Sequence, residues 1–209
     1  MGNEAYNPLA NINLADSVAE ALLARPCTAL PPSDSFPGAG IYVIYYGGPF
    51  APYLPISRAN RQGRCEVPMY VGKATPAGRR KGGLGLGQQT TYALLNRLRE
   101  HADSIEQAEN IDTTDFRCRY LVVDEIWIPL GEQLLIERFS PLWNRVLDGF
   151  GNHDPGSGRY NQQRSPWDTV HPGRAWAAKC QPNAKPAEAW VAEIAAFFAG
   201  ERRTSESGQ

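Results

Sequence analysis

The chain has 209 residues, of which 42% are hydrophobic, 10% aromatic and 21% charged, enough for one globular domain with a sizeable core but not for two large ones. That composition excludes a disordered or fibrous chain, and no apolar run approaches the length of a bilayer span. The formal net charge of −1 argues against indiscriminate attachment to polyanions, although it does not say how charge is distributed along the chain.

The opening segment, MGNEAYNPLANINLADS, has neither a basic start nor an apolar stretch, so a cytoplasmic location is expected. Apolar residues then recur at helical spacing and stop before Pro26, predicting a helix over residues 13–24. Residues 25–38, rich in Pro and Ser, read as a loop. The β-branched and aromatic run Gly40-Ile41-Tyr42-Val43-Ile44-Tyr45-Tyr46, closed by Gly47-Gly48, predicts a strand, and residues 67–72 predict a second. About twenty residues rich in Pro, Arg and Asn lie between them, too many for a tight turn, so an inserted loop is expected. Residues 75–87 set Arg79-Arg80-Lys81 beside alternating glycines, which predicts a second, mobile loop.

Over residues 90–105, Leu94, Leu95, Leu98, Ala102 and Ile105 fall on one stripe, predicting an amphipathic helix packed on a sheet. Residues 116–123 read as a strand that continues at 126–128, and residues 130–139 as a helix stopped by Pro141. From 148 to 173 the pattern is irregular. Two short helices, over 174–179 and 187–199, precede a polar tail. The expected fold is α+β: a small antiparallel sheet flanked by helices, with two inserted loops and extra terminal helices. A single domain, 1–209, is expected, with its core at about 38–146, an N-terminal helix within 1–37, and a C-terminal loop and helices over 147–209. Cys27, Cys65, Cys118 and Cys180 are scattered, with no C-x-x-C pair and no histidine nearby, which predicts free thiols and neither zinc nor disulfides.

Split along the chain, the charge is far from neutral. Residues 56–100 hold nine Lys/Arg against Glu66 and Glu100, a sum of +7, and residues 101–140 hold nine Asp/Glu against three Arg, a sum of −6. A solvated basic loop beside an acidic helix would explain this. A basic, glycine-rich segment that orders against phosphate would explain it equally well, because phosphate neutralisation supplies most non-specific affinity for DNA.

Gly40-Ile41-Tyr42 on one strand and Tyr70-Val71-Gly72 on the next resemble the signature of the GIY-YIG nuclease family, and the likeness extends through Lys73, Arg97, Glu132 and Asn144 over roughly residues 38–146. The 28 positions from Tyr42 to Tyr70 and the 27 from Tyr70 to Arg97 exceed the compact family pattern and look like the restriction-endonuclease branch. The resemblance implies a Type II restriction enzyme that hydrolyses double-stranded DNA at a short, GC-rich palindrome as a homodimer. It also implies Mg²⁺, one per active site, and a cognate DNA methyltransferase encoded nearby. A repair or homing nuclease, or a DNA-binding module without activity, is the alternative.

The residue chemistry agrees with this. Strand alternation lets Tyr42 and Tyr70 share a face, whereas Tyr45, Tyr46 and Tyr120 read as packing residues. Arg97 and His101, four apart, are neighbours on one helix. The planar fork of Arg97 suits the scissile phosphate; His101 reads as a phosphate ligand, a proton relay or a cap of the site. Glu132 faces inward with Leu135, Ile136 and Phe139, while Glu137 faces solvent. As a lone carboxylate, Glu132 either completes a hydrated Mg²⁺ site or merely complements a helix dipole. Tyr42 is expected to activate the water, although a phenolate at pH 7 costs about 4 kcal/mol unless cations lower it. Lys73 is expected to assist or to contact phosphate, and Asn144 to orient the site or shape a turn. Candidate base readers are Arg58, Asn60, Arg61 and Arg64 in the first insertion, Arg79, Arg80 and Lys81 in the second, and Arg159, Gln162, Gln163 and Arg164 in the late loop.

Overall fold

The computed structural model describes residues 11–76 and 91–206. The basic, glycine-rich stretch with Arg79, Arg80 and Lys81 lies outside them. Helix α1 (Asn11–Leu23) leads to a two-residue strand, β1 (Thr28–Ala29), where only a loop was expected. Strand β2 (Gly40–Tyr46) follows, then helix α2 (Leu54–Asn60), strand β3 (Pro68–Ala74), helix α3 (Ala93–Glu106) and strand β4 (Phe116–Val122). The order across the sheet is β1-β4-β2-β3, and every pairing is antiparallel. The remaining longer elements are helices, α4 (Ile128–Phe139), α5 (Leu142–Arg145), α6 (Pro166–Val170) and α7 (Ala187–Glu206), with largely irregular chain between α5 and α6 and between α6 and α7.

All seven residues of β2 are buried, which explains why its sequence shows no apolar–polar alternation: both faces of this central strand are covered. Ile41, Val43 and Tyr45 pack with Ala19 and Leu22 of α1 and with Ile128 and Leu135 of α4. Tyr42, Ile44 and Tyr46 face the other way, onto Leu94, Leu98 and Ala102 of α3 and onto Trp143, Phe150 and Trp167 from the C-terminal elements. The sheet is thus the middle of three layers. Among the described residues no helix is long and apolar enough to cross a membrane.

Several expectations are corrected. The first insertion is helical, with 3₁₀ turns at Ala51–Tyr53 and Arg61–Gly63 on either side of α2, and it buries Tyr53, Ile56, Ser57 and Asn60. The strand expected at 126–128 is a 3₁₀ turn over Glu125–Trp127: the ladder with β2 ends where Gly40 faces Val122, and one further bond, from the Val123 N–H to the Ala39 carbonyl, follows before the turn. Ile126 is left 74% exposed. Helix α6 interrupts the segment read as irregular, the helix expected over 174–179 is a 3₁₀ turn at Ala177–Lys179, and α7 runs past the expected end. Cys27 and Cys65 are disulfide-bonded with their Cα atoms 6.6 Å apart, while Cys118 and Cys180 are buried free thiols. The bridge ties the segment after α1 to the end of the first insertion.

Candidate active site

The antiparallel register sets Tyr42 opposite Gly72 and Ile44 opposite Tyr70. The two tyrosines are therefore diagonal neighbours on one face, with ring centroids 6.2 Å apart. Gly72 makes this geometry attainable, since a Cβ there would collide with the Tyr42 hydroxyl and the Tyr70 ring. Helix α3 lies over this face and brings His101, 1% exposed, to a 2.5 Å hydrogen bond between its Nε2 and Tyr42 Oη. The His101 ring is stacked on Phe150 at 4.4 Å.

Electrostatics fix the resting state of this pair. Burial is the main reason the Tyr42 hydroxyl is pushed well above the usual phenol value, with Tyr70 adding to it and the Arg97 charge pulling it back. Tyr70 is raised by burial as well. His101 is held well below the ordinary histidine value, first by burial and then by the charges of Arg97, His153 and Arg174. Both partners are consequently neutral at pH 7.

Arg97 stands one turn before His101 at the edge of the site. Its Nη2 donates to the Gly151 carbonyl at 2.9 Å, and its Nη1 donates to Glu100 at 3.1 Å and lies 2.5 Å from His153 Nε2. Burial lowers its pKa, but Tyr42, the Glu100 hydrogen bond and Tyr70 outweigh that and raise it, so the guanidinium stays charged.

Lys73 and Glu132 occupy the rim at β3, the outer strand. Lys73 Nζ lies 2.6 Å from Glu132 Oε2, with the two side chains 43% and 18% exposed, and the Glu132 charge is felt at both Tyr42 and Tyr70. Beside Glu132 runs a groove of about 490 Å³, whose walls include Glu137 and Arg145. Asn144 in α5 acts on the backbone: its Oδ1 accepts from the Val71 N–H at 2.8 Å and its Nδ2 donates to the Val71 carbonyl at 2.9 Å. It therefore fixes the strand that carries Tyr70 and Lys73.

The candidate base readers divide. Arg58 and Arg61 are exposed, as are Arg159, Gln162 and Gln163. Arg64 is exposed too, pairing with Glu66 at 3.7 Å. Asn60 is a correction: it is 5% exposed, donates to the Tyr46 and Val67 carbonyls and accepts from the Glu66 and Val67 N–H groups. Its amide clasps the two ends of the insertion and has nothing left for a base edge. Arg164 is partly committed as well, with Nε donating to the Ala177 carbonyl at 3.1 Å. Arg79, Arg80 and Lys81 fall outside the described residues. A separate cleft of about 530 Å³, lined in part by Arg61, Gln62, Arg117 and the Cys27–Cys65 bridge, touches none of the catalytic candidates.

Sequence reasoning missed the loop that seats Arg97. Gly151 and His153 carry no motif, and the only local hint is that His153 is one of three histidines in the chain.

A sheet that pairs two tyrosines beneath a helix carrying an arginine, with a carboxylate at its rim, is the frame of a GIY-YIG nuclease. Residues 34–198 match the model of the Eco29kI GIY-YIG domain, and the chain belongs to that family of restriction-type nucleases. A search of curated proteins gives no match.

Proposed function

We propose that the chain is a sequence-specific endonuclease of the Type II restriction kind, hydrolysing phosphodiesters of double-stranded DNA at a short palindrome as a homodimer. The observation that carries this reading is the Tyr42–His101 hydrogen bond set beside the Arg97 guanidinium and the Lys73–Glu132 pair.

The residues fit one Mg²⁺ ion. Among the described residues no group of three or more His, Cys, Asp or Glu side chains could hold a metal, so an all-protein cage is not offered. Glu132 supplies a single hard oxygen donor at an open rim, and Mg²⁺ suits one carboxylate with water and substrate phosphate completing its shell. Bound there, the ion would stabilise charge on the departing 3′-oxygen. Its arrival would free Lys73, whose half-exposed ammonium can turn to a phosphate oxygen.

Arg97 takes the scissile phosphate with its planar fork. Tyr42 orients the attacking water and takes its proton while passing its own to His101, whose Nε2 bears a lone pair in the tautomer protonated at Nδ1. A preformed phenolate is disfavoured by the burial of Tyr42. The Arg97 charge is one cause of the weak basicity of His101, so a phosphate paired with Arg97 makes His101 a better proton acceptor when substrate is bound. Tyr70 adds a hydrogen bond to the water or phosphate.

Supercoiled plasmid incubated with the enzyme and Mg²⁺ tests this. Discrete double-strand fragments are expected, with Glu132→Ala slower by at least about 10²-fold and still folded. Random nicks would point instead to a repair-like nuclease, and an absence of cutting to a binding module. Sequencing of the cut ends then gives the site and the stagger.

A further inference from the structure

Behind Arg97 lies a second arginine that the reaction scheme does not use. Arg174 is 2% exposed, yet each of its guanidinium nitrogens is engaged. Nε donates to Asp168 Oδ1 at 2.6 Å, Nη1 to the carbonyls of Phe150 and Asn152, both at 3.1 Å, and Nη2 to the carbonyl of Gly149 at 2.9 Å. Trp167 and Trp176 cover it, with ring centroids 4.5 and 4.8 Å from Cζ. Asp168 is held in turn by the Ser165 hydroxyl, which donates to its Oδ2 at 2.6 Å.

The pattern of acceptors is informative. Of the four consecutive carbonyls from Gly149 to Asn152, Arg174 takes the first, second and fourth, and Arg97 takes the third, that of Gly151. Gly149 adopts a φ of +107°, the left-handed turn that lets the chain curl around the buried guanidinium. His153, which faces Arg97 Nη1, leaves the same curl. A buried ion pair is a poor device for stability, since apolar side chains of similar volume commonly serve as well or better. Donors from one guanidinium aimed at three carbonyls of one loop are a good device for fixing that loop.

We propose that Arg174 is a positioning residue for Arg97. It shapes the 149–152 loop so that the Gly151 carbonyl and the His153 ring hold the Arg97 guanidinium at one angle to the incoming phosphate. This rests on the reading of Arg97 as the phosphate clamp. Displacements of about 1 Å in such positioning groups can cost on the order of 10²-fold in rate.

The test is a double-mutant cycle in the full-length enzyme, read by steady-state and single-turnover cleavage of a plasmid that the wild type linearises. Arg174→Lys keeps a cation beside Asp168, but one ammonium cannot reach four acceptors. It is expected to lower kcat by about 10-fold or more with KM for the plasmid nearly unchanged, and to add less than about 2-fold when built into Arg97→Lys. Losses that multiply in the double variant, or a kcat that Arg174→Lys leaves intact, overturn the proposal. If Arg97→Lys alone cuts at the wild-type rate, the reading of Arg97 is what fails. Should Arg174→Lys not fold, as judged by circular dichroism, Trp176→Leu carries the same cycle: it loosens the guanidinium without leaving a buried charge, and additivity there again overturns the proposal.

Discussion

The protein contains the same side-chain pair twice. Tyr42 and His101 are joined at 2.5 Å, and Tyr53 and His171 are joined at 2.5 Å, with both members of each pair almost fully buried. Burial raises both tyrosines and lowers both histidines, His171 to about 3. The pairs differ in what lies beyond them. Around Tyr53 the polar groups are taken up by the fold itself: the Trp143 indole N–H donates to the Tyr53 oxygen at 3.0 Å, and His171 Nδ1 meets Asn110 Oδ1 at 2.7 Å. Beyond Tyr42 stand Tyr70, the charged Arg97 and, at the open edge of the sheet, Lys73 and Glu132. A tyrosine–histidine hydrogen bond is therefore not a site in itself. It becomes one where an anion can be held against it.

Exchanging the two tyrosines for phenylalanine separates the pairs most sharply. Tyr42→Phe is expected to slow cleavage by about 10²- to 10⁴-fold and, because the buried His101 ring loses its partner, to cost about 1–3 kcal/mol of stability as well. Tyr53→Phe is expected to leave kcat within about 3-fold while destabilising the fold by about 1–3 kcal/mol, because the Trp143 N–H and the His171 ring lose a buried partner. The pairs differ in cleavage, and a rate that falls in Tyr53→Phe while Tyr42→Phe cuts normally, both folded by thermal melting, would place the chemistry at the other pair.

Acid gives the next largest effect. The unfolded chain binds a proton at His171 near pH 6.5, and the folded chain refuses it until about pH 3. Stability from this group is therefore complete above pH 6.5 and falls as the pH drops through that window, by about 2 kcal/mol at pH 5. His101 is shifted in the same direction and adds to the slope. Urea melts between pH 7 and pH 5 should show the loss, and His171→Gln should reduce it. A midpoint that does not move with pH would contradict the buried, neutral assignment of both rings.

The smallest effect falls in the first insertion, which has its own exposed and sealed sides. Arg58→Ala should reduce the slope of log affinity against log salt by about 1, as expected for one lost phosphate contact, with no change in stability. Asn60→Ala should do the opposite, lowering the melting midpoint by loosening the clasp on Tyr46 and Val67 and leaving the slope unchanged.

What the sequence disclosed follows from the range of the forces involved. Strand β2 was readable because glycines bound a β-branched, aromatic run, and α3 because its leucines repeat at helical spacing. The two tyrosines, Arg97 and Glu132 were found from order along the chain, and the register that joins them is a simple consequence of antiparallel pairing. Helix α6 carried a readable start in Ser165-Pro166-Trp167-Asp168, where Ser165 Oγ accepts from the Asp168 N–H, but the surrounding glycines and prolines masked it. Long-range proximity was not readable. Cys27 and Cys65 are 38 residues apart, Arg97 and Gly151 are 54 apart, and no local pattern brings either pair together. The low proton affinity of His101 was equally hidden, since it arises from Phe150 and its neighbours closing over the ring.

Asn144 has a consequence for assembly. Strand β3 is outermost on its side of the sheet, and an open outer strand is a template on which another chain can add. By offering Val71 an acceptor and a donor from one amide, Asn144 takes the place of the strand that would otherwise dock there. On the opposite side, β1 is only two residues long, too short to recruit a partner. In the homodimer proposed above, β3 would then not serve as a shared seam between two sheets, and the rim with Lys73 and Glu132 would stay open to the duplex.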